Sequence, residues 1–147
     1  MTTPATINFY LKSGEHGYLS NFSPHRVFLK GKNWPTSEHY FQAQKFAGTP
    51  AEEKIRLAIT AREAANLGRS RKLTLRRDWE SVKVNIMREA VLAKFSQHDD
   101  LRELLLATGD ARLIEHTAND SFWGDGGDGS GKNWLGRILM EVRGQLA

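Results

Sequence analysis

WPTSEHYFQAQKF, residues 34–46, predicts a helix that carries a carboxylate and an amine on one face. Proline is tolerated in the first turn of a helix, so Pro35 marks the entry. The hydroxyl of Thr36 can accept a hydrogen bond from the free amides at a helix start. We therefore expect a helix over residues 36–47 whose aromatic side chains anchor it in a core.

Three polar residues of this helix recur at i, i+4 and i+7, which places Glu38, Gln42 and Lys45 on one stripe. Seven residues at 1.5 Å rise separate Glu38 from Lys45 by roughly 10 Å along the axis. That spacing is too long for a simple ion pair, and it suits two groups that hold opposite ends of a small polar ligand. Two interpretations stay open: a stripe that faces water on an amphipathic surface helix, or a ligand site.

The chain has 147 residues, a net charge of +4 and no cysteine. Its length predicts one domain, residues 1–147, large enough to bury a core. The lack of cysteine excludes disulfides, thiolate catalysis and Cys-ligated zinc. The modest positive charge suits anionic small molecules and permits nucleic acid without requiring it. Residues 1–5 lack a secretory signal pattern and no long apolar window occurs, so we expect a cytoplasmic protein without a membrane span.

Hydrophobic periodicity and capping residues predict a helix-rich α+β fold, a single domain with a small β-sheet. The predicted strands cover residues 6–11, a hairpin or edge strand over 26–34, and 111–117. The predicted helices cover residues 36–47, a segment from 50 that carries 55–59, and then 62–67, 78–97, 99–109 and 133–146.

A glycine-rich loop lies within residues 122–136 and leads into the last helix. Its spacing partly matches a phosphate-binding P-loop, but Asn133 stands where that motif needs a hydroxyl for Mg²⁺. We therefore set the P-loop aside. Trp123 could stack on a flat base, and either Asp125 or Asp128 could act as acid or base. The alternative interpretation is a mobile surface loop.

Other polar residues give weaker signals. Asn21 lies in a turn between aromatic residues, where it could hold a ligand hydroxyl or serve the turn itself. The basic run of residues 69–77 is either a solvated loop or a phosphate clamp, with Arg69 and Arg71 as the clamp candidates. His39 follows Glu38, but helical geometry turns it about 100° away. The histidines show no metal-ligand spacing, so we expect neither a metal nor a cofactor.

Taken together, these segments are similar to a known family. The segments that carry the similarity are LSNF (19–22), WPTSEHYFQAQKF (34–46), WESVK (79–83), KF (94–95), QH (97–98), WGDG (123–126), GKN (131–133) and LG (135–136). They span nearly the whole chain, and the second is long and specific. The chain resembles the YbiA-like family, also called NADAR.

The resemblance implies an N-glycosidase that hydrolyses the C1′–N bond of phosphoribosylamino-pyrimidine intermediates of riboflavin biosynthesis and releases ribose 5-phosphate. Its partner would be that small phosphorylated ribosylamine, with no membrane and no obligate protein partner. Two alternatives stay open: an ADP-ribosyl hydrolase that removes ADP-ribose from guanine in nucleic acid, and a non-catalytic module that binds ADP-ribose or NAD.

Cleavage of C1′–N builds positive charge on the sugar, so a nearby carboxylate stabilises the transition state. Glu38 would stabilise this charge and activate water, or Lys45 would capture C1′ as a Schiff base, which requires a neutral amine. The predicted catalytic residues are Glu38, Lys45 and Asp125. The predicted substrate-binding residues are Asn21, Gln42, Trp123, Gly124, Arg69, Arg71, Lys132 and Asn133.

Overall fold

The structure is a computed structural model that describes residues 5–147. Within this range the chain forms six α-helices and four β-strands, which confirms the predicted helix-rich α+β class. The strands are β1 (Thr6–Phe9), β2 (Val27–Leu29), β3 (Lys32–Trp34) and β4 (Arg112–Glu115). The helices are α1 (Ser37–Gln44), α2 (Pro50–Arg56), α3 (Ala61–Gly68), α4 (Trp79–Gln97), α5 (Asp99–Ala107) and α6 (Trp134–Leu146).

The described residues form two compact units. The first unit comprises the chain up to Ser23 together with Phe95–Ala147, and the second comprises Pro24–Lys94. The single domain expected over residues 1–147 stays a prediction. The expectation about export rests on residues 1–5, of which residues 1–4 lie outside the described range.

The first unit contains a two-stranded parallel sheet in which β1 pairs with β4. The register sets Thr6 opposite Arg112 and Phe9 opposite Glu115. β1 ends at Phe9 rather than at residue 11 as predicted, and the next two side chains, Tyr10 and Leu11, are exposed. Helix α6 packs against β4 and α5, so the loop after β4 is held at both ends by regular structure.

The second unit contains the β2–β3 hairpin and helices α1 to α3, followed by most of α4. Helix α1 is packed against both α2 and α3. A buried hydrophobic cluster joins these elements. Its members are Val27, Trp34, Tyr40, Ala43, Phe46, Ile55, Ala58, Ala64, Ala90 and Ala93.

Helix α2 is shorter than the sequence predicted. It ends at Arg56, so residues 57–59 are not helical. The carbonyl of Ala58 bonds the ring of His39, and the hydroxyl of Thr60 then caps α3 by accepting from the amide of Glu63. Residues 57–60 therefore form the connection between α2 and α3. Within residues 5–147, no helix has the length and apolarity that crossing a membrane requires.

Candidate active site

The start of α1 is fixed by its cap. Thr36 has extended backbone angles, and its Oγ1 accepts from the amide of His39 at 3.1 Å. The ring of His39 has a hydrogen-bond partner on each nitrogen. Nδ1 lies 2.8 Å from Thr36 Oγ1, and Nε2 lies 2.9 Å from the carbonyl oxygen of Ala58. Because a carbonyl only accepts, Nε2 carries the proton and Nδ1 accepts from the threonine hydroxyl. His39 thus serves the fold, turned away from the stripe as predicted.

Two members of the stripe are buried. Glu38 is 7% exposed and Gln42 is 4% exposed, and every other residue of α1 is buried as well. The amide Nε2 of Gln42 donates to Glu38 Oε2 at 2.9 Å. The interpretation of a surface helix whose stripe faces water is therefore wrong, and the stripe holds a carboxylate in a fixed orientation inside the protein.

Lys45 follows the last residue of α1 and lies half-buried. Its Nζ donates to the carbonyl of Gly68, at the end of α3, over 3.3 Å. The same nitrogen lies 5.9 Å from the ring centroid of Phe41 and 5.8 Å from that of Trp79, the first residue of α4. Helices α1 and α4 therefore each place an aromatic ring near the amine, within the range of cation–π attraction, and α3 supplies a carbonyl acceptor.

The electrostatic surroundings favour the neutral form of this amine. Burial lowers the pKa of Lys45, the carboxylate of Glu38 acts in the opposite direction, and the positive charges of Arg69 and Lys83 lower it further. A lysine that is desolvated and close to other cations is a better nucleophile at neutral pH than an exposed one. Sequence reasoning missed Lys83, although its place one helical turn after Trp79 could have indicated it.

Gly68 allows α3 to approach α1 closely. A Cβ at this position would lie 2.1 Å from Oε1 and 2.8 Å from Cδ of Gln42. Among the described residues, no hydrogen-bond partner reaches Gln42 Oε1, which faces this glycine. Because Gly68 has no Cβ, the side-chain amide of Gln42 has room to stay directed at Glu38.

The predicted residues of the glycine-rich loop belong to the first unit, where Asp125 organises the loop. Its Oδ1 accepts from the amides of Thr117 at 3.0 Å and Gly127 at 2.9 Å, and its Oδ2 lies 2.7 Å from Nδ1 of His116. The hydrogen bond with His116 is the main cause that lowers the pKa of Asp125. Asp128, by contrast, is exposed, and its Oδ1 accepts from the amide and the hydroxyl of Ser130.

The end of the loop is tied to β4 by Asn133. This residue has a positive φ of 52°, and its side chain donates to the Leu113 carbonyl and accepts from the Glu115 amide, both at 3.0 Å. The amide side chain therefore extends the hydrogen bonding of β4. A substrate-binding role for Asn133 stays a prediction.

The remaining predicted residues divide between the two units. In the first unit, Asn21 is buried, the rings of Trp123 and Phe122 meet edge-on at 4.8 Å, and Lys132 Nζ lies 5.6 Å from the Phe122 centroid. The buried Gly124 accepts from the amide of Asn133 through its carbonyl. In the second unit, Arg69 and Arg71 are exposed beyond the end of α3. Residues 5–147 contain no cluster of three or more side chains suited to a metal ion.

Comparison with known proteins places these motifs in one family. Residues 8–147 match the family model described as the NADAR domain. The chain is 56% identical over 141 residues to N-glycosidase YbiA of Escherichia coli K12. The aligned residues cover 96% of this chain and 88% of that protein. It is 51% identical over 144 residues to an N-glycosidase of Nostoc punctiforme, covering 96% and 92% respectively.

A riboflavin biosynthesis protein of Vibrio vulnificus is 49% identical over 140 residues, which cover 95% of this chain and 38% of that protein. The NMR structure of E. coli YbiA matches with a TM-score of 0.90 and 53% identity, covering 99% of this chain and 87% of that one. The chain therefore belongs to the NADAR family, and it is an N-glycosidase.

Proposed function

We propose that this N-glycosidase hydrolyses the C1′–N bond of phosphoribosylamino-pyrimidine intermediates of riboflavin biosynthesis and releases ribose 5-phosphate. One observation carries the proposal: a half-buried lysine with a lowered pKa, Lys45, extends the stripe that holds the buried carboxylate of Glu38. A cation-stabilising carboxylate serves the direct route of ribosylamine cleavage, and a nucleophilic amine serves the covalent route.

The names of relatives support this substrate class. Proteins that are 51% and 56% identical are named N-glycosidases, and a further relative at 49% identity is named a riboflavin biosynthesis protein. These names favour an enzyme over the non-catalytic ADP-ribose or NAD module. They also favour a riboflavin precursor as the source of the scissile bond.

In the direct route, Glu38 faces the positive charge that develops at C1′ as the bond to nitrogen breaks. Water adds to C1′ and gives its proton to the carboxylate, while the departing pyrimidine amine gains a proton. The hydrogen bond from Gln42 orients the carboxylate for this step. Conversion of Glu38 to the neutral amide would remove both the charge and the proton acceptor.

In the covalent route, the ribosylamine first opens to a C1′=N imine as a proton moves to the ring oxygen. The neutral amine of Lys45 adds to C1′, the pyrimidine amine leaves with a proton, and a lysine imine of ribose 5-phosphate remains. Addition of one water then releases the sugar aldehyde and restores the lysine. The lowered pKa of Lys45 favours this route because the attacking nitrogen must carry a lone pair.

The supporting roles are also proposals. We assign Trp123 to stacking on the pyrimidine, Asp125 to proton transfer or a sugar hydroxyl, and Asn21 to the ribose. Arg69 is the first candidate for the phosphate, since a guanidinium binds phosphate oxygens bidentately. The second candidates for the phosphate are Arg71 and Lys132.

The test is mass spectrometry of the two C1′–N substrates side by side. Purified protein would receive the phosphoribosylamino-pyrimidine in one reaction and ADP-ribosylated guanosine in the other. Release of ribose 5-phosphate from the first is the expected result. Release of ADP-ribose from the second alone would overturn the proposed substrate and make the protein an ADP-ribosyl hydrolase acting on guanine.

A further inference from the structure

Lys83 lies on α4 one turn after Trp79, the residue whose ring packs against the amine of Lys45. Residues four apart on a helix share a face, so Lys83 extends the same side of α4. Its side chain is only 16% exposed, and its Nζ is 2.5 Å from Oε2 of Glu80, whose side chain is 78% exposed. A surface carboxylate thus holds a mostly buried cation on the face of α4 that also carries Trp79, whose ring packs against the candidate nucleophile.

The charges that act on Lys45 lie on α1, just beyond the end of α3, and on α4. The carboxylate of Glu38 on α1 opposes those of Arg69 and Lys83. Arg76, whose amide donates to the Lys45 carbonyl, is already paired with Asp78 at 2.6 Å. Arg69 affects Lys45 more than Lys83 does, but it is exposed and therefore more strongly screened by salt. Lys83 is the cation near Lys45 whose influence should survive at physiological ionic strength.

We propose that Lys83 is a positioning residue that acts through its charge on Lys45 and increases the neutral fraction of that amine, and that Glu80 sets the strength of this action. A fixed positive charge in half-buried surroundings makes a second positive charge unfavourable. Glu80 partly cancels the charge of Lys83 while holding its side chain in place. The inference rests on the proposed role of Lys45, and it adds to that role a residue that does not touch the substrate.

The experiment measures the neutral fraction of Lys45 directly. The protein would be labelled with acetic anhydride over a range of pH, and acetylation of Lys45 would be read by peptide mass spectrometry relative to the exposed lysines. Because only the neutral amine reacts, the midpoint of labelling reports the protonation of Lys45. No substrate is involved, so the result stands even if the proposed substrate is wrong.

Three variants test the direction of the effect. Lys83→Met removes the charge and should raise the labelling midpoint of Lys45 by roughly 0.5–1 pH unit, whereas Lys83→Arg should leave it near the wild-type value. Glu80→Gln leaves the charge of Lys83 uncompensated and should lower the midpoint. As a control, Lys54→Met on α2 makes the same change of charge at an exposed position and should have no effect.

A shift in the same direction for Lys83→Met and Glu80→Gln would overturn the proposal, as would a shift for Lys54→Met equal to that for Lys83→Met. If Lys83→Met fails to fold, the Glu80→Gln midpoint decides alone, and an unchanged or raised value counts against the proposal. In turnover, the pH at which kcat/KM begins to fall on the acid side should move with the labelling midpoint. Midpoints that shift as predicted without any cleavage of the pyrimidine substrate would contradict the proposed function only.

Discussion

Gly68→Ala should destabilise the protein, although alanine favours a helix more than glycine does. The added Cβ would meet Gln42 Oε1 at 2.1 Å and Cδ at 2.8 Å, in a region where Gln42 is only 4% exposed. Overpacking of this kind costs about 1–3 kcal/mol, against a gain in helix propensity of about 1 kcal/mol. We expect a net loss of up to about 2 kcal/mol in the free energy of unfolding.

The matched control is Gly144→Ala in α6, where a Cβ would meet nothing within 4 Å. This substitution keeps the helix-propensity gain without the clash, so it should stabilise the protein by about 0.5–1 kcal/mol. Chemical denaturation of both variants gives the two free energies, and a melting curve should show shifts of opposite sign, about 2–4 °C per kcal/mol. The contrast isolates the contact with Gln42 from the backbone effect.

A double-mutant cycle tests whether Gln42 is the cause. Gln42→Ala removes the two closest clashing atoms, so Gly68→Ala should cost clearly less in that background than in the wild type. Gly68→Ala should also slow turnover, because the displaced amide no longer holds Glu38. If Gly68→Ala stabilises the protein as Gly144→Ala does, or costs the same in both backgrounds, the close approach of α3 is not what orients Gln42.

Other contacts lead to three further predictions. Asp125→Ala should cost about 1–3 kcal/mol in unfolding free energy, because two backbone amides lose their acceptor, whereas Asp128→Ala should cost almost nothing; denaturation of both variants decides this. Burial lowers the pKa of Lys94 to about 7 from 10.5, so the unfolded chain binds a proton that the folded protein releases over this range. The unfolding free energy should therefore rise with pH between about 7 and 10.5, by up to about 1.4 kcal/mol per pH unit. Lys94→Met should flatten that rise, and an unchanged slope would contradict the assignment. Borohydride added during turnover should trap a reduced ribose 5-phosphate adduct that peptide mapping assigns to Lys45, and repeated failure to trap it in active enzyme would leave only the direct route through Glu38.

Local rules predicted the start of α1 and the members of its stripe. The threonine signal gave the cap, which the hydrogen bond from the His39 amide to Thr36 confirms, whereas Pro35 lies one residue before the cap and not in the first turn. The helical period brought Gln42 to Glu38, where the two side chains bond. These features depend on residues within one or two turns of each other, so the sequence alone contains the information.

The burial of α1 could not be read from its own residues. Its polar side chains find partners far along the chain: His39 bonds the Ala58 carbonyl, and Gln44 bonds Lys30 and Glu52. A helix with so many polar residues is therefore compatible both with a surface and with a core. Only the tertiary arrangement decides between the two, and it favours the core.

The surroundings of Lys45 were likewise beyond sequence reasoning. Its carbonyl partner, Gly68, is 23 positions away, and Trp79 comes from yet another helix. The spacing of the stripe was compatible with an amine that binds a ligand, but it did not predict that burial and neighbouring cations lower the pKa of that amine. The parallel pairing of β1 with β4, which sets Thr6 beside Arg112, was also out of reach because it joins distant segments.

The most direct test of the proposed chemistry is the rate of ribose 5-phosphate release by Glu38→Gln and Lys45→Met, compared with the wild type on the phosphoribosylamino-pyrimidine. Both substitutions keep the size of the side chain, so melting temperatures close to that of the wild type would show that the fold is retained. We predict that each variant loses about 10²–10⁴-fold in kcat. Rates within a few-fold of the wild type in both folded variants would contradict this, because the buried stripe of α1 would then not carry the chemistry.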